Sequence, residues 1–200
     1  MFDTGFADNG PPTTGKLAAQ LDAVGLKPTD INNVVLSHFH GDHINGLRNK
    51  AGQLVYPNAR VHVPAPEHAF WMDDARMEAA PPGMKGAFMA VRRALGNLGG
   101  DQLVKFEPGA VIAPGITSIA AFGHTPGHTL FRMDSEGQSF AYVADITNVP
   151  SLFARAPDWS VLFDMLVKDK MMAGGFHFPF PAFGTMEASG NGYQFKPVAA

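Results

Sequence analysis

The chain contains no cysteine. That absence excludes disulfides, thiolate zinc sites and cysteine nucleophiles together, and it leaves the redox compartment open. No apolar run approaches the length needed to cross a bilayer, so no membrane partner is expected. Excess charge is also lacking. There are 15 Lys and Arg against 18 Asp and Glu, and no basic stretch has interleaved aromatics, so no nucleic-acid partner is expected either. The opening Met1-Phe2-Asp3-Thr4-Gly5 lacks the charged and apolar regions of a signal peptide. The chain therefore reads as soluble, cytoplasmic as written and periplasmic if a leader has been trimmed.

What is present is one domain's worth of alternating elements in 200 residues. Leu17, Leu21 and Val24 predict a helix capped by Thr13 or Thr14 and ended by Gly25. Val34-Val35-Leu36 predicts a buried strand, and Val61 and Val63 another. Phe88, Val91 and Leu95 mark a second helix closed by Gly99-Gly100. From Leu103 to Asp145 short β-branched runs follow, with a hairpin turn at Ser135-Glu136-Gly137. A third helix is predicted over Val161 to Met172, and Gly190-Asn191-Gly192 turns a last hairpin. Mixed elements of this kind predict an α/β protein with sheets covered by helices.

The chemistry concentrates in His38-Phe39-His40-Gly41-Asp42-His43, directly after a predicted strand. Residues two apart in extended chain point the same way, so His38 and His40 can share one metal ion. Past the turn at Gly41, Asp42 and His43 can face a neighbouring ion. A polar loop with capping histidines would account for one or two of these residues, not three with an aspartate. Imidazole and carboxylate without thiolate suit zinc, with manganese, iron or cobalt as alternatives.

Gly123-His124-Thr125-Pro126-Gly127-His128 is a second motif. His124 would complete a three-histidine shell with His38 and His40. His128 could also ligate, but reads as a structural, hydrogen-bonded side chain. Asp145 ends an apolar strand and His177 lies between Gly174-Gly175 and Phe178-Pro179. Alone, they are a turn residue and a packed histidine. They gain weight because the first two motifs need partners.

In this order the motifs resemble the metallo-β-lactamase superfamily. Within it, Phe2-Asp3-Thr4-Gly5, Phe70-Trp71, Pro114-Gly115-Ile116 and Gly175-Phe176-His177-Phe178-Pro179-Phe180-Pro181 are similar to the branch containing methyl parathion hydrolase. The resemblance implies an αββα sandwich, one ion held by His38, His40 and His124, another by Asp42, His43 and His177, and Asp145 bridging two divalent ions, zinc first. It further implies a hydrolase that attacks with metal-bound hydroxide, Asp42 orienting the water.

Members of the superfamily cleave β-lactams, lactones, thioesters, phosphotriesters and RNA. The missing cysteine excludes a thiolate-dependent β-lactamase, and charge disfavours RNA. His40 stands where the redox branch has Glu. Ile146, Thr147 and Asn148 offer no tyrosine of the kind that follows the bridging Asp in many lactonases. An ester, lactone or phosphotriester of small size remains as substrate. A metal-binding but catalytically silent, shortened member of the fold is the competing expectation.

Asp3 and Thr125 are candidates to hold the imidazoles from behind, although Asp3 reads somewhat better as a turn former. Phe39, Phe70, Trp71 and Phe178 are candidates for an apolar substrate pocket, with core packing as the alternative. Relatives carry strands ahead of the Asp-Thr-Gly segment. The expectation is therefore a single domain, incomplete at its N-terminus, with a truncated first sheet and an open edge that favours a homodimer. The Asp145–His177 stretch also reads as shortened, around Phe163-Asp164-Met165.

Overall fold

A computed structural model of the chain describes residues 1–147 and 160–199. Asn148 and the following residues up to 159, part of the stretch that reads as shortened, lie outside the described residues. The chain divides into two units, Met1–Glu107 with Thr125–His128, and Pro108–His124 with Thr129–Ala200.

The first unit begins with α1 (Leu17–Ala23). It starts from Lys16 without a side-chain cap, because the Thr14 hydroxyl turns back to the Pro11 carbonyl. It ends as expected at Gly25, which takes φ +77° and sends its N–H to Asp22. Next come β1 (Asn33–Val35), α2 (Gly41–Ile44) and β2 (Arg60–Pro64). Three helices follow, α3 (Ala65–Trp71), α4 (Asp74–Ala79) and α5 (Pro82–Leu95), and then β3 (Leu103–Phe106). The three strands form a parallel sheet in the order β1-β2-β3. Parallel neighbours need long crossovers, which the helices supply.

Phe88, Val91, Ala94 and Leu95 of α5 are buried with Val34, Leu36, Val61 and Val63 in one core. The helix stops at Leu95, four residues before Gly99. Gly96 follows it directly, where a Cβ would stand 2.2 Å from the Arg92 carbonyl oxygen. The outer side of β1 is not bare. Phe2 bridges Val35, whose carbonyl accepts the Asp3 amide and whose amide donates to the Met1 carbonyl.

Among the described residues, the second unit is a seven-stranded sheet with one helix. Its elements are β4 (Val111–Ala113), β5 (Ile116–Ala120), β6 (Thr129–Ser135), β7 (Gln138–Ala144), α6 (Ser160–Lys168), β8 (Met172–Gly175), β9 (Phe183–Ser189) and β10 (Gly192–Pro197). The order is β10-β9-β8-β7-β6-β5-β4, antiparallel except for the parallel pair β7 and β8. Glu136 and Gly137 both take positive φ, 51° and 76°, the backbone a two-residue hairpin turn requires.

Phe163 and Leu166 of α6 are buried with Ala141, Val143, Met171 and Ala173. The helix ends at Lys168 rather than running to Met172, because Met172 pairs with Phe140 as the first residue of β8. No helix among the described residues is long and apolar enough to cross a membrane.

Candidate metal-ligating side chains

In the first unit the ligand-bearing segment leaves β1 at full burial. Ser37, His38 and His43 are completely buried, Phe39 nearly so, and His40 and Asp42 are partly open. His40 sits in extended conformation before α2, and its carbonyl accepts the amides of His43 and Ile44. That turn brings the rings together: the His38 centroid lies 4.7 Å from His40 and 4.1 Å from His43. His43 Nε2 and Asp42 Oδ2 are 3.6 Å apart.

The orientation of two imidazoles traces to Asp3. Its Oδ2 lies 2.8 Å from His43 Nδ1 and accepts the Ser37 hydroxyl at 2.7 Å, while Oδ1 accepts the Ser37 amide at 2.8 Å. Ser37 Oγ also lies 3.0 Å from His38 Nδ1. A hydroxyl has one proton, and Ser37 gives it to Asp3, so His38 Nδ1–H must donate to Ser37 Oγ. Asp3 thus fixes His43 directly and His38 through Ser37, and Nε2 is the nitrogen of each ring that could ligate a metal. Asp3 holds φ +49° in doing so. It is more than the turn former its sequence context favours, since the carboxylate is fully buried and spent on these bonds. The Thr4 amide and hydroxyl both donate to the His43 carbonyl, at 2.8 and 2.7 Å.

His128 is buried in the same unit with its ring 5.1 Å from His38, and its amide reaches the Thr125 carbonyl at 3.4 Å. Thr125 lies against Glu67. Glu67 is completely buried, and sequence reasoning missed it. Its Oε1 accepts the Phe39 amide at 3.0 Å and the Trp71 indole N–H at 2.8 Å; its Oε2 accepts the Gly127 amide at 2.7 Å. Burial pushes its carboxyl above the ordinary value, and these hydrogen bonds oppose the shift. The Glu67–Trp71 spacing of one helical turn was the only local hint. Nothing local indicates that the pair is buried.

The second unit presents three ligand candidates by themselves. Asp145 follows β7, and His177 follows β8, its parallel neighbour. The Phe176 amide donates to the Ala144 carbonyl at 3.1 Å, which sets the two strand ends side by side. Asp145 Oδ2 stands 3.2 Å from His177 Nε2 and 3.4 Å from His124 Nε2. Asp145 is nearly buried, whereas the side chains of His124 and His177 are 26% and 37% exposed.

These residues fit a metal. The separations exceed the about 2.7–2.9 Å of a charge-assisted hydrogen bond. They bracket the roughly 3.3–3.4 Å edge of a tetrahedron whose bonds are about 2.0–2.1 Å. The donors are imidazole nitrogens and carboxylate oxygens, the set that zinc, manganese and iron accept.

The aromatic candidates divide. Phe39 and Trp71 are buried in the first unit's core and Phe178 in the second's. Phe39 turns inward because its amide is held by Glu67, and Trp71 because its indole is. All three therefore pack as core and present almost no surface to a ligand. Phe70 differs: with Arg76 5.1 Å over its ring, it lines an open cavity of about 450 Å³ that Pro66, Ala69 and Pro126 share.

The chain is similar to several known proteins. The chain resembles the solved hydrolase AbOPH of the β-lactamase superfamily, with TM-score 0.90 and 24% identity over all of this chain and 75% of that one. It also resembles AidC, a dizinc quorum-quenching lactonase, with TM-score 0.86 and 25% identity at the same coverage. Among curated proteins it is 26% identical over 131 residues to the probable metallo-hydrolase Rv2300c of Mycobacterium tuberculosis, a match spanning 59% of this chain and 37% of that relative's length. The model of the metallo-β-lactamase superfamily matches residues 1–182. The chain has the metallo-β-lactamase fold and belongs to that superfamily.

Proposed function

We propose that the chain is a dinuclear metal-dependent hydrolase of small esters, lactones or phosphotriesters, its two units acting as one domain. One ion is assigned to His38, His40 and His124, the other to Asp42, His43 and His177, and Asp145 is shared between them. The observation that carries the reading is Asp145 itself, whose Oδ2 stands at ligand-to-ligand distance from both His124 and His177. An aspartate that served only as a turn former would have no reason to be buried between two imidazoles.

Two divalent ions bound there would make hydroxide available near neutral pH and polarise the carbonyl or phosphoryl oxygen under attack. The protein's part is to hold and aim. Asp3 and Ser37 present Nε2 of His43 and His38, which keeps those rings in one tautomer throughout turnover. Asp42 is partly open, so it is the carboxylate assigned to orient the attacking water. Zinc is the first choice of metal, with manganese, iron and cobalt as alternatives.

Within the superfamily we favour the methyl parathion hydrolase branch. The segments that resemble it include Phe2–Gly5, which here carries Asp3, and Gly175–Pro181, which carries His177. The partner is a small molecule rather than a nucleic acid or a membrane. Pairing of two copies through an open sheet edge has less to recommend it, because Met1–Asp3 lies along β1.

The test is a panel of aryl esters, lactones and phosphotriesters on metal-loaded protein. Turnover that a chelator abolishes and zinc or manganese restores is the expected result. Absence of turnover in folded, fully metallated protein would overturn the hydrolase assignment in favour of a silent metal-binding member.

A further inference from the structure

We infer that Glu67 is a positioning residue for one metal ion and not the other, namely the ion assigned above to His38, His40 and His124. The inference rests on that assignment and extends it to a residue of α3 that touches neither ion.

The argument starts from what the carboxylate holds. The Phe39 amide, bound to Oε1 at 3.0 Å, belongs to the residue between His38 and His40. Fixing that peptide fixes the stagger of the two imidazoles on either side of it. The Gly127 amide, bound to Oε2 at 2.7 Å, lies three residues after His124 in a loop that Pro126 already stiffens. One side chain therefore anchors both backbone segments from which this ion's three histidines project.

Gly127 is required for the contact. A Cβ there would lie 2.2 Å from the Glu67 amide nitrogen and 2.6 Å from its Cβ, so only glycine lets the loop rest on α3. Trp71, one turn along the same helix, holds Oε1 in place at 2.8 Å.

The other ion's histidine in this unit, His43, takes its direction from Asp3 at 2.8 Å. The hydrogen bonds of Glu67 run instead to Trp71 and to Phe39, Gly127 and Thr125, which lie in or beside the segments that carry the first ion's histidines. An ionised carboxylate accepts at both oxygens, and donors occupy both here. Glu67→Gln keeps the volume but turns an N–H₂ toward one of those donors, whichever way the amide is placed.

The experiment is a zinc titration against a competing chelator, in two backgrounds that isolate the ions. His177→Ala retains the ion of His38, His40 and His124; His40→Ala retains the other. In the His177→Ala background, Glu67→Gln is expected to weaken zinc binding about 10–100-fold, the range for loss of a supporting hydrogen bond behind a ligand. In the His40→Ala background the same change is expected to leave affinity within about twofold.

Circular dichroism confirms folding of each variant, and Trp71→Phe, which removes one donor and leaves the carboxylate, should give a smaller loss at the same ion. Equal weakening in both backgrounds would make Glu67 a general stabiliser and overturn the inference, as would unchanged affinity in both. Failure of the unsubstituted protein to take up two ions would instead overturn the dinuclear assignment beneath it.

Discussion

The two units hold their candidate ligands by opposite means. In the first, His38 and His43 are completely buried and their Nδ1 atoms are committed to Ser37 and Asp3. In the second, His124 and His177 are 26% and 37% exposed, and the buried member is the carboxylate, Asp145. A buried imidazole must find its second hydrogen bond within the protein, so its ligating nitrogen is aimed before any metal arrives. A half-exposed one can use water for that purpose, and its position is set by the loop and by Asp145. The buried candidates of the first unit are thus aimed in advance, and the histidine candidates of the second are accessible.

The contrast breaks most visibly at Asp145. Asp145→Ala removes the ligand assigned to both ions, and hydrolysis is expected to fall to the background rate. His128→Ala, which deletes a buried ring 5.1 Å from His38 but no assigned ligand, is expected to cost much less. Equal, small effects of the two changes would show that the ligands are wrongly assigned.

A finer comparison uses metal-free protein, where ligation contributes nothing to stability. His43→Ala leaves the buried Asp3 carboxylate without one of its partners and is expected to cost about 1–3 kcal/mol in urea unfolding. His177→Ala removes a half-exposed side chain and should stay within about 0.5 kcal/mol. Similar costs at the two positions would mean that the difference in exposure carries no difference in design.

Much of this was legible in the sequence because the chemistry is packed into short motifs. The six residues from His38 to His43 pointed to a metal site by their composition and spacing. The second motif and Asp145 followed from what that site still needed, and the resemblance supplied the pairing. The strands at Val34 and Val61 and the hairpin at Glu136-Gly137 were also legible, since burial runs and turn residues are local signals.

What was not legible depends on contacts distant in sequence. Glu67 is 28 residues from Phe39 and 60 from Gly127, and a Glu beside Pro66 on a short helix looks like solvent-facing charge. Trp71 read as a pocket wall because an aromatic's burial cannot be judged without knowing that its indole has a buried acceptor. The end of α6 was misplaced for the same kind of reason: Met171 and Met172 suit a helix locally, and pairing with β7 decides otherwise.

The central claim is that two ions share Asp145. Anomalous scattering from crystals of the zinc-loaded protein tests it most directly. The account predicts two peaks about 3.5–4 Å apart, one beside His38, His40 and His124, the other beside Asp42, His43 and His177, with the Asp145 carboxylate between them. A single peak, or two peaks of which either lies away from Asp145, would contradict it.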